Sequence, residues 1–199
     1  MNESISCCRY LCCLIVVSSA LAVGCATRPV GVIDERSSAP SKTEAVVVHG
    51  MKQSAFHYVF VKGKIENGMF HQTKSVGVLI DKPNNGYLVG KIEAGDEIAL
   101  ILVLRTERQN NEPISFGLGC GMPVRVFTVP GGKVSYLGEA AISIAKNREL
   151  WVMYSENFQN AKSYIDSNFP VLKDRLEPIT SQIVPYKCQP TYQYYMIYR

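Results

Sequence analysis

The sequence predicts a mostly β domain, a single antiparallel β-sandwich with one helical excursion near residues 155–176. Short runs of β-branched and aromatic residues recur along the chain, separated by turn-forming residues about every 8–12 positions. Only one stretch has the apolar spacing of a surface helix, so alternating βαβ units are not expected. Because 47% of the residues are hydrophobic, the chain can bury a core of its own.

The predicted strands are short apolar runs that end at glycine, proline, asparagine or aspartate. They cover residues 45–49, 56–62, 76–80, 87–92, 97–104, 124–129, 134–137, 140–144 and 150–154. Residues 97–104 are almost all apolar, which predicts a strand buried on both faces. Pro130-Gly131-Gly132 separates two of the runs and predicts a hairpin, with glycine where the turn needs a positive φ.

One helix is predicted after the last of these strands. Ser155 is the expected N-cap, and Glu156 suits the positive end of the helix dipole. Pro170 should end the helix, and a short second turn is expected before Pro178. The apolar positions that should form its buried face and that of the second turn are Phe158, Ala161, Ile165, Phe169, Leu172 and Leu176.

The C-terminal residues 191–198 have the composition of a strand and are rich in tyrosine. Aromatic residues on a terminal strand typically fill one side of a sandwich core. The alternative is that Tyr192, Tyr194, Tyr195 and Tyr198 line a face that binds a glycan or a peptide.

Residues 1–24 have the three parts of a secretory signal peptide. Arg9 supplies the positive charge, and residues 10–23 form an apolar stretch shorter than the ~18–20 residues of a membrane-spanning helix. Residues 21–25 then read Leu-Ala-Val-Gly-Cys, and the chain turns polar directly afterwards. Ordinary signal cleavage after Ala22 is the alternative, but it leaves Cys25 unexplained.

The segment that ends at Cys25 resembles the lipobox of bacterial lipoproteins. The resemblance implies cleavage before Cys25 and attachment of diacylglyceryl and palmitate chains to it, so that the protein is tethered to the cell envelope. Ala26 follows the cysteine in place of the aspartate that often retains such proteins at the inner membrane. The resemblance therefore implies the outer membrane, with the domain facing the periplasm.

The domain organisation follows from composition. Residues 25–43 are expected to form a lipidated cysteine and a flexible linker, because they are rich in serine, proline and charge. Residues 44–199 then form the sandwich domain. The formal net charge of +4 is spread along the chain without a run of Lys and Arg, which excludes a nucleic-acid signature.

Residues 127–138 carry a second resemblance. Their sequence, strand then Pro-Gly-Gly then strand with Tyr-Leu-Gly, is similar to a pattern in uncharacterised bacterial envelope lipoproteins with prealbumin-like or immunoglobulin-like sandwich domains. Residues 93–96 depart from the second hairpin of that pattern. The resemblance implies a fold and an envelope location, and it carries no catalytic residue.

Cys120 and Cys188 are the two cysteines that remain after the signal and the lipidated Cys25 are set aside. An even pair in an oxidising compartment predicts a disulfide, with Cα atoms within ~7 Å. The alternative is two free thiols. No CxxC motif or nearby histidine points to a metal or redox pair.

No catalytic or metal motif is found, and no cofactor is expected. Gly117-Leu118-Gly119-Cys120-Gly121 resembles a phosphate-binding loop, but a predicted strand follows it where a helix is needed. His49, His57 and His71 lack zinc-ligand spacing. The carboxylates Asp81, Glu93, Asp96 and Glu112 stand beside turn residues or charges, where we expect water to surround them.

The first functional hypothesis is therefore a non-enzymatic envelope lipoprotein that acts as a binding or assembly module, attached to the membrane by its lipid and free to contact an envelope protein. The second is an enzyme that acts on cell-wall or glycan material through a site built from distant residues. The third is an accessory subunit of a secretion or surface machine. The ligand-binding residues cannot be assigned from the sequence.

Overall fold

The computed structural model describes residues 31–109 and 112–188, which form eleven strands, one α-helix and one 3-10 turn. The strands are β1 (Glu44–Met51), β2 (Phe56–Glu66), β3 (Met69–Asp81), β4 (Tyr87–Glu93), β5 (Glu97–Gln109), β6 (Glu112–Leu118), β7 (Pro123–Thr128), β8 (Val134–Ile144), β9 (Glu149–Ser155), β10 (Leu176–Pro178) and β11 (Ser181–Lys187). Helix α1 spans Phe158–Asn168, and the 3-10 turn spans Pro170–Leu172.

Five strands close into a small barrel in the order β2-β3-β11-β7-β5, with the β2–β5 pairing completing the ring. The pairs are antiparallel except for β3 with β11. The barrel interior is filled by apolar side chains from all five strands, including Val61, Phe70, Ile101, Val126 and Tyr186.

A second group of strands continues from the barrel through β5, which pairs with β7 at its beginning and with β6 further along. The order then runs β6-β9-β8-β1-β4, and the short β10 pairs with β8. A larger core lies between this sheet and the outer surface of the barrel, with Phe60, Leu100, Phe127 and Leu137 among its members. Because β5 contributes to both cores, its predicted burial on both faces is confirmed.

Helix α1 packs on the other face of the second sheet. Its Ala161 and Ile165 meet Val46, Val48 and Tyr136, which lie opposite the residues that β1 and β8 contribute to the larger core. The predicted apolar face is confirmed, and the helix ends just before Pro170 as expected. It begins later than predicted, with Asn157 rather than Ser155 at the N-cap position. No helix among the described residues is both long enough and apolar enough to cross a membrane.

The mostly β fold with one helix is confirmed, but the strand pairing differs from the predicted sandwich. The barrel closes because β2 pairs with both β3 and β5. The predicted hairpin across Pro130-Gly131-Gly132 is wrong, since β7 pairs with β5 and β11 whereas β8 pairs with β1, β9 and β10. The segment instead crosses from the barrel to the second sheet, and the Gly132 amide donates to Glu44 O at 2.8 Å.

The chain already contacts the domain at residues 31–33, within the segment that the sequence places in the linker. Val32 forms an antiparallel bridge with Gly90 of β4, and the Ile33 amide donates to Val89 O at 3.3 Å. The side chain of Val32 packs against the larger core. We call residues 31–33 the N-terminal clip.

Candidate functional site

The predicted lipidation site and the predicted disulfide have different outcomes. Cys25 lies outside the described residues, as do the tyrosines of residues 191–198. Cys120 and Cys188 are joined, with their Cα atoms 5.0 Å apart, which agrees with the predicted pairing. Cys120 lies between β6 and β7 and Cys188 directly follows β11, so the bridge fastens the end of β11 to the entry of its neighbour β7.

The glycine-rich residues 117–121 do not form a phosphate loop. They finish β6 and turn into β7, a strand, so no helix N-terminus points at them. Gly121 has a φ of +76°, and its amide donates to Tyr186 O at 2.8 Å. The backbone turns here, at a glycine whose positive φ other residues rarely adopt.

His49 is the most unusual side chain in the larger core, because it is polar and 0% exposed. It lies on β1, where its Nδ1 is 2.6 Å from Gly138 O and therefore carries the proton that this bond needs. Its Nε2 has no hydrogen-bond partner among the described residues. Burial lowers the pKa of His49 to about 4, with a smaller contribution from the charge of Arg125, so the ring is neutral at pH 7.

A β-bulge places the carbonyl group that His49 meets. Val48 pairs with Tyr136 and Gly50 with Glu139, so β8 carries one more residue than β1 across this interval. Gly138 lies in the bulge with a φ of +88°, a conformation that favours glycine. A Cβ there would lie 3.0 Å from Glu156 Oε1 and 3.2 Å from Ser155 O, so the site is also tight for any larger residue.

Three further side chains complete what we call the His49 cluster. Arg125 of β7 donates from Nη1 to Glu156 Oε1 at 2.9 Å. Its guanidinium carbon lies 4.6 Å from the ring centroid of Tyr154 on β9. The Tyr154 ring stacks near that of His49, with centroids 6.5 Å apart. Burial raises the pKa of Tyr154 to about 12, and a hydrogen bond to the backbone of Arg125 opposes this, so its hydroxyl stays protonated.

The His49 cluster joins the barrel to the second sheet, since Arg125 belongs to β7 and the other members belong to β1, β9 and the entry of α1. A general base must come within hydrogen-bond reach of a substrate proton. His49 is enclosed by Phe60, Phe127 and Tyr154 and has no exposed surface. The arrangement therefore supports a polar link within the core rather than a catalytic base.

The other two histidines lie on separate strands of the barrel. His57 is part-buried at the start of β2, and burial followed by the charge of Lys82 lowers its pKa. His71 on β3 has a buried Nε2 without a hydrogen-bond partner in the described part of the chain. Within residues 31–109 and 112–188, no group of three or more His, Cys, Asp or Glu side chains could hold a metal ion.

Asp96 corrects the expectation that its carboxylate is surrounded by water. It is 6% exposed, and its carboxylate forms an ion pair with Lys62 of β2. Lys62 also donates to Glu93 Oε2 at 3.3 Å, and its pKa is raised, chiefly by the hydrogen bond to Asp96. The pair links the turn before β5 to the neighbouring strand, and one ammonium group shared by two carboxylates stays protonated.

A different part of the surface carries large exposed apolar side chains. Trp151 is 51% exposed and Met153 is 60% exposed, although both lie in the middle of β9. Leu150, Val152 and Tyr154 alternate with them and turn toward the larger core. Trp151 and Met153 therefore point to the sheet face on which α1 packs, beyond the area that α1 covers.

The neighbouring side chains leave Trp151 and Met153 open. Trp151 pairs with Ser143 of β8, and Met153 pairs with Ala141, so the adjacent strand presents only small side chains. We call Trp151, Met153, Ala141 and Ser143 the β9 patch. In the described part of the protein, β6 pairs with β9 only at Glu149 and Leu150, so no strand covers the second edge of β9 from Trp151 onward.

Charged groups stand at one end of the β9 patch. Lys146 and Arg148 lie in the turn between β8 and β9, and both are exposed. The guanidinium carbon of Arg148 is 6.0 Å from the ring centroid of Phe116. An apolar patch with a charged rim is typical of a protein interaction surface.

The sequence did not single out the β9 patch or the His49 cluster. Residues 150–154 are all apolar, so no alternation indicated which side chains would be exposed. The burial of His49 depends on strands that are far apart in the chain. The only local signal was the β-branched run that contains His49, and it predicts a strand but not the burial of the histidine. No protein-family model matches the chain, and no curated protein or solved structure matches it significantly.

Proposed function

We propose that this protein is a lipid-anchored module of the bacterial cell envelope that binds a partner protein through the β9 patch and catalyses no reaction. The lipobox-like residues 21–25 support the anchor at Cys25. Ala26 supports the outer membrane, with the domain in the periplasm. The predicted disulfide pair of Cys120 and Cys188 is in keeping with an oxidising compartment.

The β9 patch is the single observation that carries the binding function. A tryptophan that is half exposed next to an exposed methionine leaves apolar area in water, which burial against a partner would remove. Tryptophan, methionine and arginine are enriched in protein interfaces, and tryptophan is frequent among the residues that dominate binding. Val171 and Ile183 are also exposed, but they lie on different elements, whereas Trp151 and Met153 share one strand and one face of the sheet.

The enzymatic alternative receives less support from the described residues. The imidazole of His49 is enclosed, and His57 and His71 lie on separate strands. Asp96 and Lys62 form a buried carboxylate with a lysine partner, which is the kind of pair a general base could use. However, Glu93 also binds the same ammonium group, and this arrangement favours a structural ion pair.

Two measurements test the proposed function. Mass spectrometry of the membrane-extracted protein should find a diacylglyceryl group on Cys25, and the Cys25→Ser variant should lack it. An N-terminus at Val23, or an unmodified Cys25, would refute the anchor.

The second measurement uses a photo-crosslinking amino acid at Met153 in intact cells, with the same amino acid at Ile183 as the matched control. Position 183 is also an exposed apolar site, but it is on β11. We expect one discrete adduct from position 153 and none from position 183. Equal adducts from both positions, or none from position 153, would refute binding through the β9 patch.

A further inference from the structure

The N-terminal clip limits how far the domain can stand from its membrane. Gly31 has a φ of +78°, and a Cβ on it would lie 2.8 Å from Val78 O and 3.0 Å from Lys91 O. Gly90, which pairs with Val32, is crowded as well, since a Cβ there would lie 2.2 Å from Leu79 Cδ1 and 2.8 Å from Gly31 O. Glycine at both positions lets the chain lie directly against β4.

Polar contacts continue this attachment toward β1. The Lys91 ammonium donates to Ser38 Oγ at 3.4 Å and forms an ion pair with Glu44 at 3.5 Å. Pro40 is buried, and the Glu44 amide donates to Ser41 O at 3.1 Å. The residues between the clip and β1 are therefore held along the domain, and they do not lengthen the tether.

The covalent geometry of the chain then sets an upper limit on the reach. Residues 26–30 alone separate Cys25 from Gly31. Such a segment spans at most about 20 Å, whereas a free linker as far as Glu44 would span about 65 Å. A folded domain of this size is about 40 Å across. With the clip in place, every point on the domain lies within about 60 Å of the lipid.

We infer that the N-terminal clip keeps the β9 patch within about 60 Å of the lipid-bearing membrane, so that the partner of the patch is a protein held at that same membrane. This inference rests on the proposed lipid anchor at Cys25. Without the clip the limit would be about 105 Å, and partners well away from that membrane would come within reach.

The test measures the distance of the β9 patch from the bilayer in the full-length lipidated protein, reconstituted in phosphatidylethanolamine–phosphatidylglycerol vesicles. Lys146 is exposed beside the patch, so a Lys146→Cys variant can carry a donor fluorophore while fluorescent lipids act as acceptors. A Gly-Ser insertion of thirteen residues between Thr27 and Arg28 restores, by design, roughly the length of a tether that ends at Glu44. We expect energy transfer to fall at least twofold in the insertion variant.

The Gly31→Ala variant tests the clip itself, because residue 31 has a positive φ and the added Cβ would press against Val78 O and Lys91 O. The matched control is Gly68→Ala, which has a similar positive φ but no atom within 4 Å of the added Cβ. We expect Gly31→Ala to lower the energy transfer, and Gly68→Ala to leave it unchanged. Equal energy transfer from the two folded variants would overturn the inference, because the insertion lengthens the tether whether or not the clip holds.

The outcomes separate the inference from the proposed function. If mass spectrometry finds the lipid but the insertion leaves the energy transfer unchanged, the clip does not limit the reach and the inference is overturned. If the lipid is absent, the proposed anchor fails and the inference fails with it. A Met153 adduct whose partner fractionates with the other membrane, or with the soluble proteins of the periplasm, would also overturn the inference.

Discussion

Lowering the pH should destabilise this protein through His49, which is fully buried in the larger core. The pKa of His49 is 6.5 in the unfolded chain and about 4 in the folded protein, because burial disfavours the imidazolium form. The unfolded state therefore binds more protons than the native state between these two values. The stability contributed by the neutral ring is complete above pH 6.5 and is lost as the pH falls toward 4.

The size of the effect follows from the difference between the two pKa values. A shift of one pKa unit corresponds to about 1.4 kcal/mol, so the full loss is roughly 3 kcal/mol. At pH 4.5 most of that loss, about 2.5 kcal/mol, has already occurred. Some carboxylates also have lowered pKa values, such as Asp166, which accepts a hydrogen bond from Lys162. Their protonation destabilises the folded protein over a lower pH range than that of His49.

Urea unfolding at pH 7.5 and pH 4.5 measures this loss for the wild type and for His49→Gln. Glutamine does not titrate, and its amide can still donate to Gly138 O, so the variant should lose about 2–3 kcal/mol less stability across this range. His57→Gln is the matched control, and it should change the loss much less because His57 is only part-buried. If the wild type and His49→Gln lose equal stability, His49 is not held neutral by burial.

Three further predictions concern packing, the disulfide and the patch. Cys120→Ser should lower the free energy of unfolding by up to about 4 kcal/mol under non-reducing conditions, since the bridge spans 68 residues; unchanged stability would contradict it. Gly63→Ala should cost about 2–3 kcal/mol, because its Cβ would lie 2.4 Å from His71 O, whereas Gly117→Ala should cost under about 1 kcal/mol. Acrylamide should quench the fluorescence of Trp151, the only tryptophan, because about half of its side chain is exposed; a shielded tryptophan would refute the exposed patch.

Local patterns predicted the elements that depend on neighbouring residues. The apolar spacing of Ala161 and Ile165 marked the buried face of α1, and the continuous apolar run at the start of β5 marked a strand with two buried faces. Strand β6 was missed, because Ser115 and Gly117 interrupt its apolar residues. Strand β11 was missed for a similar reason, since its burial is slight and Pro185 lies within it.

Strand pairing could not be predicted, because it depends on contacts between residues far apart in the chain. Pro130-Gly131-Gly132 has the composition of a hairpin turn, yet a Cβ on Gly131 would lie 2.1 Å from Lys42 O. The glycines there allow two chain segments to cross closely. A hairpin turn would have the same glycine-rich sequence, so the sequence pattern does not distinguish a turn from a crossing. The burial of Asp96 escaped prediction for the same reason, since its partner Lys62 lies on another strand.

Crosslinking from within the β9 patch tests the claim that this surface binds a protein. The yield of the photo-crosslinked adduct from position 153 is compared between the otherwise wild-type protein and Trp151→Ser in intact cells. Because an exposed tryptophan at the centre of an interface contributes about 2 kcal/mol or more to binding, we predict at least a tenfold lower yield in the variant. An unchanged yield, with both proteins folded and present in equal amounts, would contradict the claim.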